Sequence, residues 1–487
     1  MALRARLSPP REEQAAWPWH NARWGALPVS EMLAGERRLE ADNYLSSGYA
    51  LRVALVAKKS SIVPLAELAR VWQPSRLKGI QVSRQFGTPF LAATQVYDLR
   101  PSPRKFLALE RTENFKERFV SNGTIVVTCS GSVGRATLTY APHENTLISH
   151  DLLRVSPLSE DYWGWIYAYL RSDQAREMMG SAQYGHIIKH LEPAHLNALP
   201  VPIVDKEVRD SFQRDVAELL KKRNKAWALQ KRAEQQFALA VGFNAHGPGP
   251  ETGFDIQASD IFSRRRRIDA SFHSPVATRI LQWFDECGLP TEPLADVTDG
   301  VWWLSRFKRV FGDDGVRYLS ADELFSVNPP TTKRVLIEQA ENVEKYFVKK
   351  DWIIMACSGQ TYGLNGSVAL MTNHHEHAFF SHDLVRIVPK SQSIRAGYLF
   401  TALGHPSLGR PLVIRNAYGT SIPHLEPADI MTTPIVRLGA ATEGSIADAM
   451  EEAIFLRAEA DSLENEIAER ATQVVDESVG LNYRELL

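Results

Sequence analysis

At 487 residues the chain exceeds what one hydrophobic core usually supports, so two or more domains are expected. Its 44% hydrophobic and 23% charged residues argue against a disordered chain, and no run of about 18 uncharged apolar residues offers a membrane span. Net charge is −1, but the balance is uneven: Gly439 to Leu487 carries twelve acids and three arginines, a net −9, which leaves +8 on residues 1–438.

The opening stretch, "MALRARLSPPREEQ", lacks the apolar core of a secretory signal, so a cytoplasmic protein is expected. Residues 1–28 have no counterpart elsewhere in the chain, although Trp17, Trp19 and Trp24 suggest packing against something. Three cysteines, Cys129, Cys287 and Cys357, cannot make a disulfide framework, and no CxxC or HxxxH spacing points to a metal.

From residue 29 onward the chain repeats itself. "VSEMLAGERRLEA" (29–41) aligns without gaps to "ASDIFSRRRRIDA" (258–270), and "FLAATQVYDLRP" (90–101) falls on "YLSADELFSVNP" (318–329). "CSG" recurs at 129–131 and 357–359, "SHDLLRVSP" (149–157) returns as "SHDLVRIVP" (381–389), and "YGHIIKHLEPA" (184–194) as "YGTSIPHLEPA" (418–428). Landmarks in one order, with offsets between 228 and 234, mark a tandem duplication.

Each copy has one internal grammar. "GTIVVTCSG" and "DWIIMACSG" read as strands ending in a turn, and "LLRVSP" and "LVRIVP" as strands closed by proline. A helical segment follows, and then one long helix. In the first long helix Val208, Phe212, Val216, Leu219, Ala226, Ala233, Phe237 and Val241 recur mostly three or four apart. In the second, Ile446, Met450, Ile454, Leu463, Ile467, Ala471 and Val475 do the same. Narrow stripes on helices of matching length and opposite charge favour pairing as a coiled coil over separate packing on each domain. The expected fold is therefore mixed α/β (α+β). Its expected division is an extension (1–28), a globular domain (29–203), a long helix (204–243), a Gly/Pro linker (244–257), a second globular domain (258–438) and an acidic long helix (439–487).

Three kinds of chemistry invite a test. Each Cys-His-Asp set resembles a nucleophilic group, which needs thiol and base within hydrogen-bond reach. Yet in both copies the cysteine follows a buried-looking strand, where it acts as a small hydrophobe. Asn328-Pro329-Pro330 resembles the motif with which amino-methyltransferases hold an adenine. Thr331 replaces the aromatic that would stack on a flipped base, and no glycine-rich loop precedes it. Basic clusters at Arg264–Arg267, 305–309 ("SRFKR") and 221–225 ("KKRNK") are each explained by a solvated face or by contact with nucleic acid.

Two tandem mixed domains, each followed by a long helix, with "CSGSVGRA"/"CSGQTYGLNG", "SHDLLRVSP"/"SHDLVRIVP" and "HLEPAHLNALPVPI"/"HLEPADIMTTPIV" in one order, resemble the specificity subunits of type I restriction–modification enzymes. The resemblance runs from about residue 29 to 482. It implies two target recognition domains, each reading half of a split DNA target. The helices are then an antiparallel spacer that docks modification subunits. It implies no catalytic residue and no cofactor in this chain, S-adenosylmethionine being bound by two partner methyltransferase subunits. A restriction/translocase subunit completes the assembly in the classical systems, and methylation-based phage-defence systems lack that motor. In the first copy the residues placed to meet double-stranded DNA are Arg84, Ser132, Arg135, Tyr184, His186 and Lys189. In the second they are Arg306, Lys308, Arg309, Gln360, Thr361, Tyr362, Asn365, Arg415, Tyr418, Thr420 and Ser421, lying in turns and in the loop before the helix.

Overall fold

A computed structural model describes residues 29–34, 41–58, 61–76, 78–182, 190–243, 253–263, 267–329, 333–339 and 342–480. Residues 1–28, most of the Gly/Pro linker and the segment 183–189 lie outside the described residues. The fold is mixed α/β. It divides into two compact units, one comprising residues 1–97, 101–221 and 462–487, the other 98–100 and 222–461.

The first unit is built on a four-stranded antiparallel sheet of β1 (Ala69–Trp72), β2 (Ile125–Thr128), β3 (Ala136–Leu138) and β4 (Leu152–Pro157), in the order β1-β4-β2-β3. The second repeats that order with β5 (Thr298–Trp302), β6 (Ile353–Ala356), β7 (Val368–Leu370) and β8 (Leu384–Pro389), as β5-β8-β6-β7. The central strands are aliphatic runs rich in β-branched residues and buried on both faces: Ile125, Val126 and Val127 in one sheet, Ile353, Ile354 and Met355 in the other, all at 0% exposure. A glycine ends the turn after each central strand because the backbone needs positive φ there, +73° at Gly131 and +116° at Gly359.

The helix after each sheet is α1 (Trp163–Arg171) in the first unit and α3 (Ala396–Gly404) in the second; the long helices are α2 (Lys206–Val241) and α4 (Ala440–Val479). At 1.5 Å per residue α2 is about 54 Å long. Both long helices cross the boundary between the units, and within each unit their segments run antiparallel. In the second unit Lys222 pairs with Glu459 at 2.7 Å and Lys225 with Glu452 at 2.6 Å. In the first, Arg470 binds Asp215 and, at 2.9 Å, Ser211. Phe212, Val216, Leu219, Ala226, Ala233, Phe237, Ile446, Met450, Ile467, Ala471 and Val475 are buried as the stripes predicted.

Two stripe residues depart from that pattern: Val208, near the start of α2, is half-buried, and Leu463 departs with a clear cause. Leu463 is only half-buried, and its neighbour Glu464 is 1% exposed instead. Tyr167 donates its hydroxyl hydrogen to Glu464, and Arg171 pairs with it at 3.4 Å. At the matching place in the second unit, Glu234 accepts Arg100 at 2.8 Å and Lys231 at 2.9 Å. Burial alone would raise Glu234, but Arg100 and Lys231 outweigh it and hold its carboxyl below the usual range.

Each domain helix also meets a long helix through a glycine. A Cβ on Gly164 would lie 2.5 Å from the Gln213 backbone, and one on Gly397 2.7 Å from the Ala447 carbonyl oxygen. The freed space admits a hydrogen bond from each glycine amide, to Gln213 Oε1 at 2.9 Å and to Glu451 Oε1 at 3.0 Å. Gly164→Ala is expected to destabilise by about 1–3 kcal/mol through overpacking. Glu464→Ala is expected to cost about 3–5 kcal/mol by removing the carboxylate that Arg171 and Tyr167 meet in the interior, whereas Lys225→Ala costs under about 1 kcal/mol because its pair is exposed. Urea unfolding midpoints of the three variants check that order.

Candidate nucleic-acid interface

Antiparallel pairing decides which residues meet. Because β1 and β2 both run against β4, the ends of β1 and β2 lie beside the start of β4, and the start of β3 joins them. Gln73, Cys129, Ser130, Arg135, His150 and Asp151 therefore share one end of the first sheet. The same logic brings Trp303, Cys357, Ser358, Ser367, His382 and Asp383 to one end of the second.

Each sheet end is held by matching bonds. Cys129 N–H donates to the Asp151 carbonyl at 3.2 Å, and Cys357 N–H to that of Asp383 at 3.4 Å. Ser130 Oγ lies 3.1 Å from His190 Nδ1, and Ser358 Oγ 2.8 Å from His424 Nδ1, so the serine of "CSG" ties down the histidine of "HLEPA". Arg154 is buried and donates to the carbonyls of Ile148, Ser149 and Leu152; Arg386 does the same to Phe380, Ser381 and Leu384. Burial lowers both guanidinium pKa values to about 10, which leaves them charged at neutral pH. Sequence reasoning overlooked these serine–histidine and arginine–carbonyl contacts. Their signal was present, since "CSG", "HLEPA" and the arginine of "SHDLxR" recur in both copies.

The geometry does not suit a thiolate nucleophile. Cys129 is buried and its sulfur meets the His150 carbonyl at 3.8 Å, not the imidazole. Burial pushes both Cys129 and Cys357 up to about 11, so each is a thiol at neutral pH. Among the described residues no group of three or more His, Cys, Asp and Glu could hold a metal ion, and no helix is long and apolar enough to cross a membrane.

The residues singled out for DNA contact fall into three groups. Arg84, Ser132, Arg306, Lys308, Arg309, Gln360, Tyr362, Tyr418, Thr420 and Ser421 are exposed, and Arg135 and Thr361 are half-buried. Arg135 stacks over Tyr97 at 4.1 Å, and Arg309 donates to the Tyr318 hydroxyl at 3.2 Å. The charges of Arg306 and Arg309 reach His382, whose pKa is lowered chiefly by burial, with Asp383 opposing and these two arginines adding to the shift. The loop "SRFKR" thus lies near the "SHD" turn.

Asn365 and Arg415 form the second group. Asn365 is fully buried and donates to the carbonyls of Gly359 and Pro423, each at 2.9 Å. Arg415 is 8% exposed, with its guanidinium 4.7 Å from the Phe272 ring centroid. Both positions make turn and core architecture. Tyr184, His186 and Lys189 form the third group and lie outside the described residues. Of the basic clusters, Lys222, Arg223 and Lys225 face acids of α4, and Arg267 binds Asp269 and the carbonyls of Asn416 and Ala417. In the adenine-motif look-alike, Asn328 is buried with its N–H directed at Asp461, while Pro330 and Thr331 lie outside the described residues.

Comparison with solved structures finds chains of low sequence identity that align over most of this one. The S subunit of the type I restriction–modification system from M. genitalium is 13% identical with a TM-score of 0.27, over 86% of this chain and 94% of that one. The HsdS subunit from Thermoanaerobacter tengcongensis is 13% identical with a TM-score of 0.26, over 86% and 96%. A further chain from a type I restriction–modification system is 12% identical with a TM-score of 0.26, over 86% and 97%. No protein-family model and no curated protein sequence matches the chain.

Alkylation with iodoacetamide at pH 8 is expected to modify the exposed Cys287 in the folded protein and to spare Cys129 and Cys357. Mass spectrometry of the digested adducts reads this directly. Rapid labelling of Cys129 in folded protein counts against the buried-thiol assignment.

Proposed function

We propose that the chain is a DNA sequence-specificity subunit that reads a bipartite target, one half-site per unit. It docks two methyltransferase subunits that bring S-adenosylmethionine and methylate adenine, and in a classical system a restriction/translocase subunit joins them. One observation carries the reading: the same sheet end is built twice on one internal frame, with different exposed side chains on it. The frame residues, Cys-Ser-Gly, Ser-His-Asp and the buried arginine, match in both copies. The turn residues differ, "SVGR" against "QTYGLN", as unequal half-sites require. Exposed Arg84 in the first unit and Arg306, Lys308 and Arg309 in the second supply phosphate contacts that position the duplex, while turn side chains meet base edges.

Methylome sequencing of cells carrying or lacking the gene, with its neighbours retained, tests the reading. A split adenine motif present only with the gene supports it, and identical methylomes overturn it. Cys129→Ala and Cys357→Ala are expected to leave that methylation intact. Changes at Thr361 and Thr420 are expected to alter preference in one half-site only. Arg84→Ala or Lys308→Ala should weaken all sequences alike and flatten the salt dependence by about one unit of slope each. Binding-site selection at two salt concentrations separates these outcomes.

A further inference from the structure

The loop after β6 in the second unit is held more firmly than its exposure suggests. Arg410 Nη2 lies within hydrogen-bond distance of three of its carbonyls, those of Thr361 and Gly363 at 2.9 Å and Asn365 at 3.0 Å. Gly359 N–H donates to the Pro423 carbonyl at 3.1 Å, and Asn365 donates to that same carbonyl. The loop 359–365 and the loop 418–423 are therefore stitched into one platform. On it stand Gln360, Tyr362 at 69% exposure and Ile422 at 59% exposure. Rigid exposed side chains meet a partner with less loss of conformational entropy than mobile ones.

Gln360 is held in a particular way. Its Nε2 donates to the Ser421 carbonyl at 2.7 Å. An amide carries two N–H donors and one acceptor oxygen. With one N–H committed to Ser421, the group shows the outside one donor and one acceptor. Adenine's major-groove edge offers the complement, an acceptor at N7 and a donor at N6, whereas guanine offers two acceptors, N7 and O6. A glutamine so fixed matches adenine and leaves guanine O6 facing an oxygen. Ile422 follows Ser421 directly and Tyr362 lies two residues from Gln360, so exposed apolar residues adjoin Gln360 and its partner in the chain. Thymine is the base with a methyl group in that groove.

Resting on the DNA-specificity reading, we propose that the second unit reads an A·T pair, with the Gln360 amide on adenine N6 and N7 and with Ile422 and Tyr362 against a thymine methyl.

The test uses the full-length chain with its co-purifying subunits and a random-sequence duplex library. The unmodified protein is expected to select a bipartite motif, and Gln360→Ala to relax one fixed A·T pair in one half-site. At that pair, replacing adenine by 7-deazaadenine removes N7 alone. It should weaken binding by roughly 2- to 12-fold, the range of one hydrogen bond. The Gln360→Ala protein should be indifferent to it. Replacing thymine by uracil in that half-site removes one methyl group and should cost about fourfold, a loss absent in Ile422→Ala. These DNA analogues leave the protein unaltered, so the result does not depend on the fold of a variant. The proposal fails if the unmodified protein selects a bipartite motif that Gln360→Ala leaves as it was. It also fails if the relaxed pair is G·C, or if 7-deazaadenine is tolerated. No sequence preference at all in the unmodified protein overturns the specificity reading itself, and this assignment with it.

Discussion

A buried positive charge held by backbone carbonyls organises each globular domain. Arg154 and Arg386 are 1% and 0% exposed, and neither makes an ion pair among the described residues. An isolated buried charge is costly, and here it is offset by charge-assisted hydrogen bonds to three carbonyls around the "SHD" turn. Those carbonyls belong to the end of a short strand (Leu147–Ile148 or Phe379–Phe380), to the turn after it and to the first residue of β4 or β8, so the guanidinium fixes where a central strand of the sheet begins. Everything at the sheet end is placed relative to that turn. The cysteine amide bonds the aspartate carbonyl, the cysteine carbonyl accepts the amide of Leu191 or Leu425, and the neighbouring serine meets a histidine. Residues that look like a catalytic set are the fastening of a platform.

The long helices follow a different rule. Their apolar stripes alone would allow sliding, because one Leu or Ala layer resembles the next. Buried Glu464 with Tyr167 and Arg171, and buried Glu234 with Arg100 and Lys231, accept few registers, since a shifted register strands a charge away from water. The exposed cross-helix pairs, such as Lys225 with Glu452, add little stability and bias direction through their charge pattern. The two kinds of contact divide the work: apolar layers supply the burial and polar ones select the alignment.

Duplication makes the functional variation readable. Where two copies share a strand order, a glycine at a helix crossing and a buried arginine, the shared parts are frame. What differs between them is free to serve partners. The first unit presents Ser132 and an arginine stacked on Tyr97; the second presents an amide, a tyrosine and an isoleucine on a longer loop. That contrast underlies both the specificity reading and the assignment of an A·T pair.

Sequence alone determined the duplication, the strand character of "TIVV" and "WIIM", the long helices and the burial of both cysteines. These rest on local periodicity and on residues that are apolar wherever they sit. It did not reveal which polar residues are interior. Asn365 and Arg415 read as loop residues fit to meet DNA, yet the structure buries both, because their partners, Pro423 and Phe272, lie 58 and 143 residues away. Leu463 fitted the helical stripe, but Glu464 occupies the interior, since Tyr167 and Arg171 wait there from a helix some 300 residues upstream. Burial of a polar group depends on whether distant atoms satisfy it, and that information exists only once the sheet and the helices have brought those atoms together.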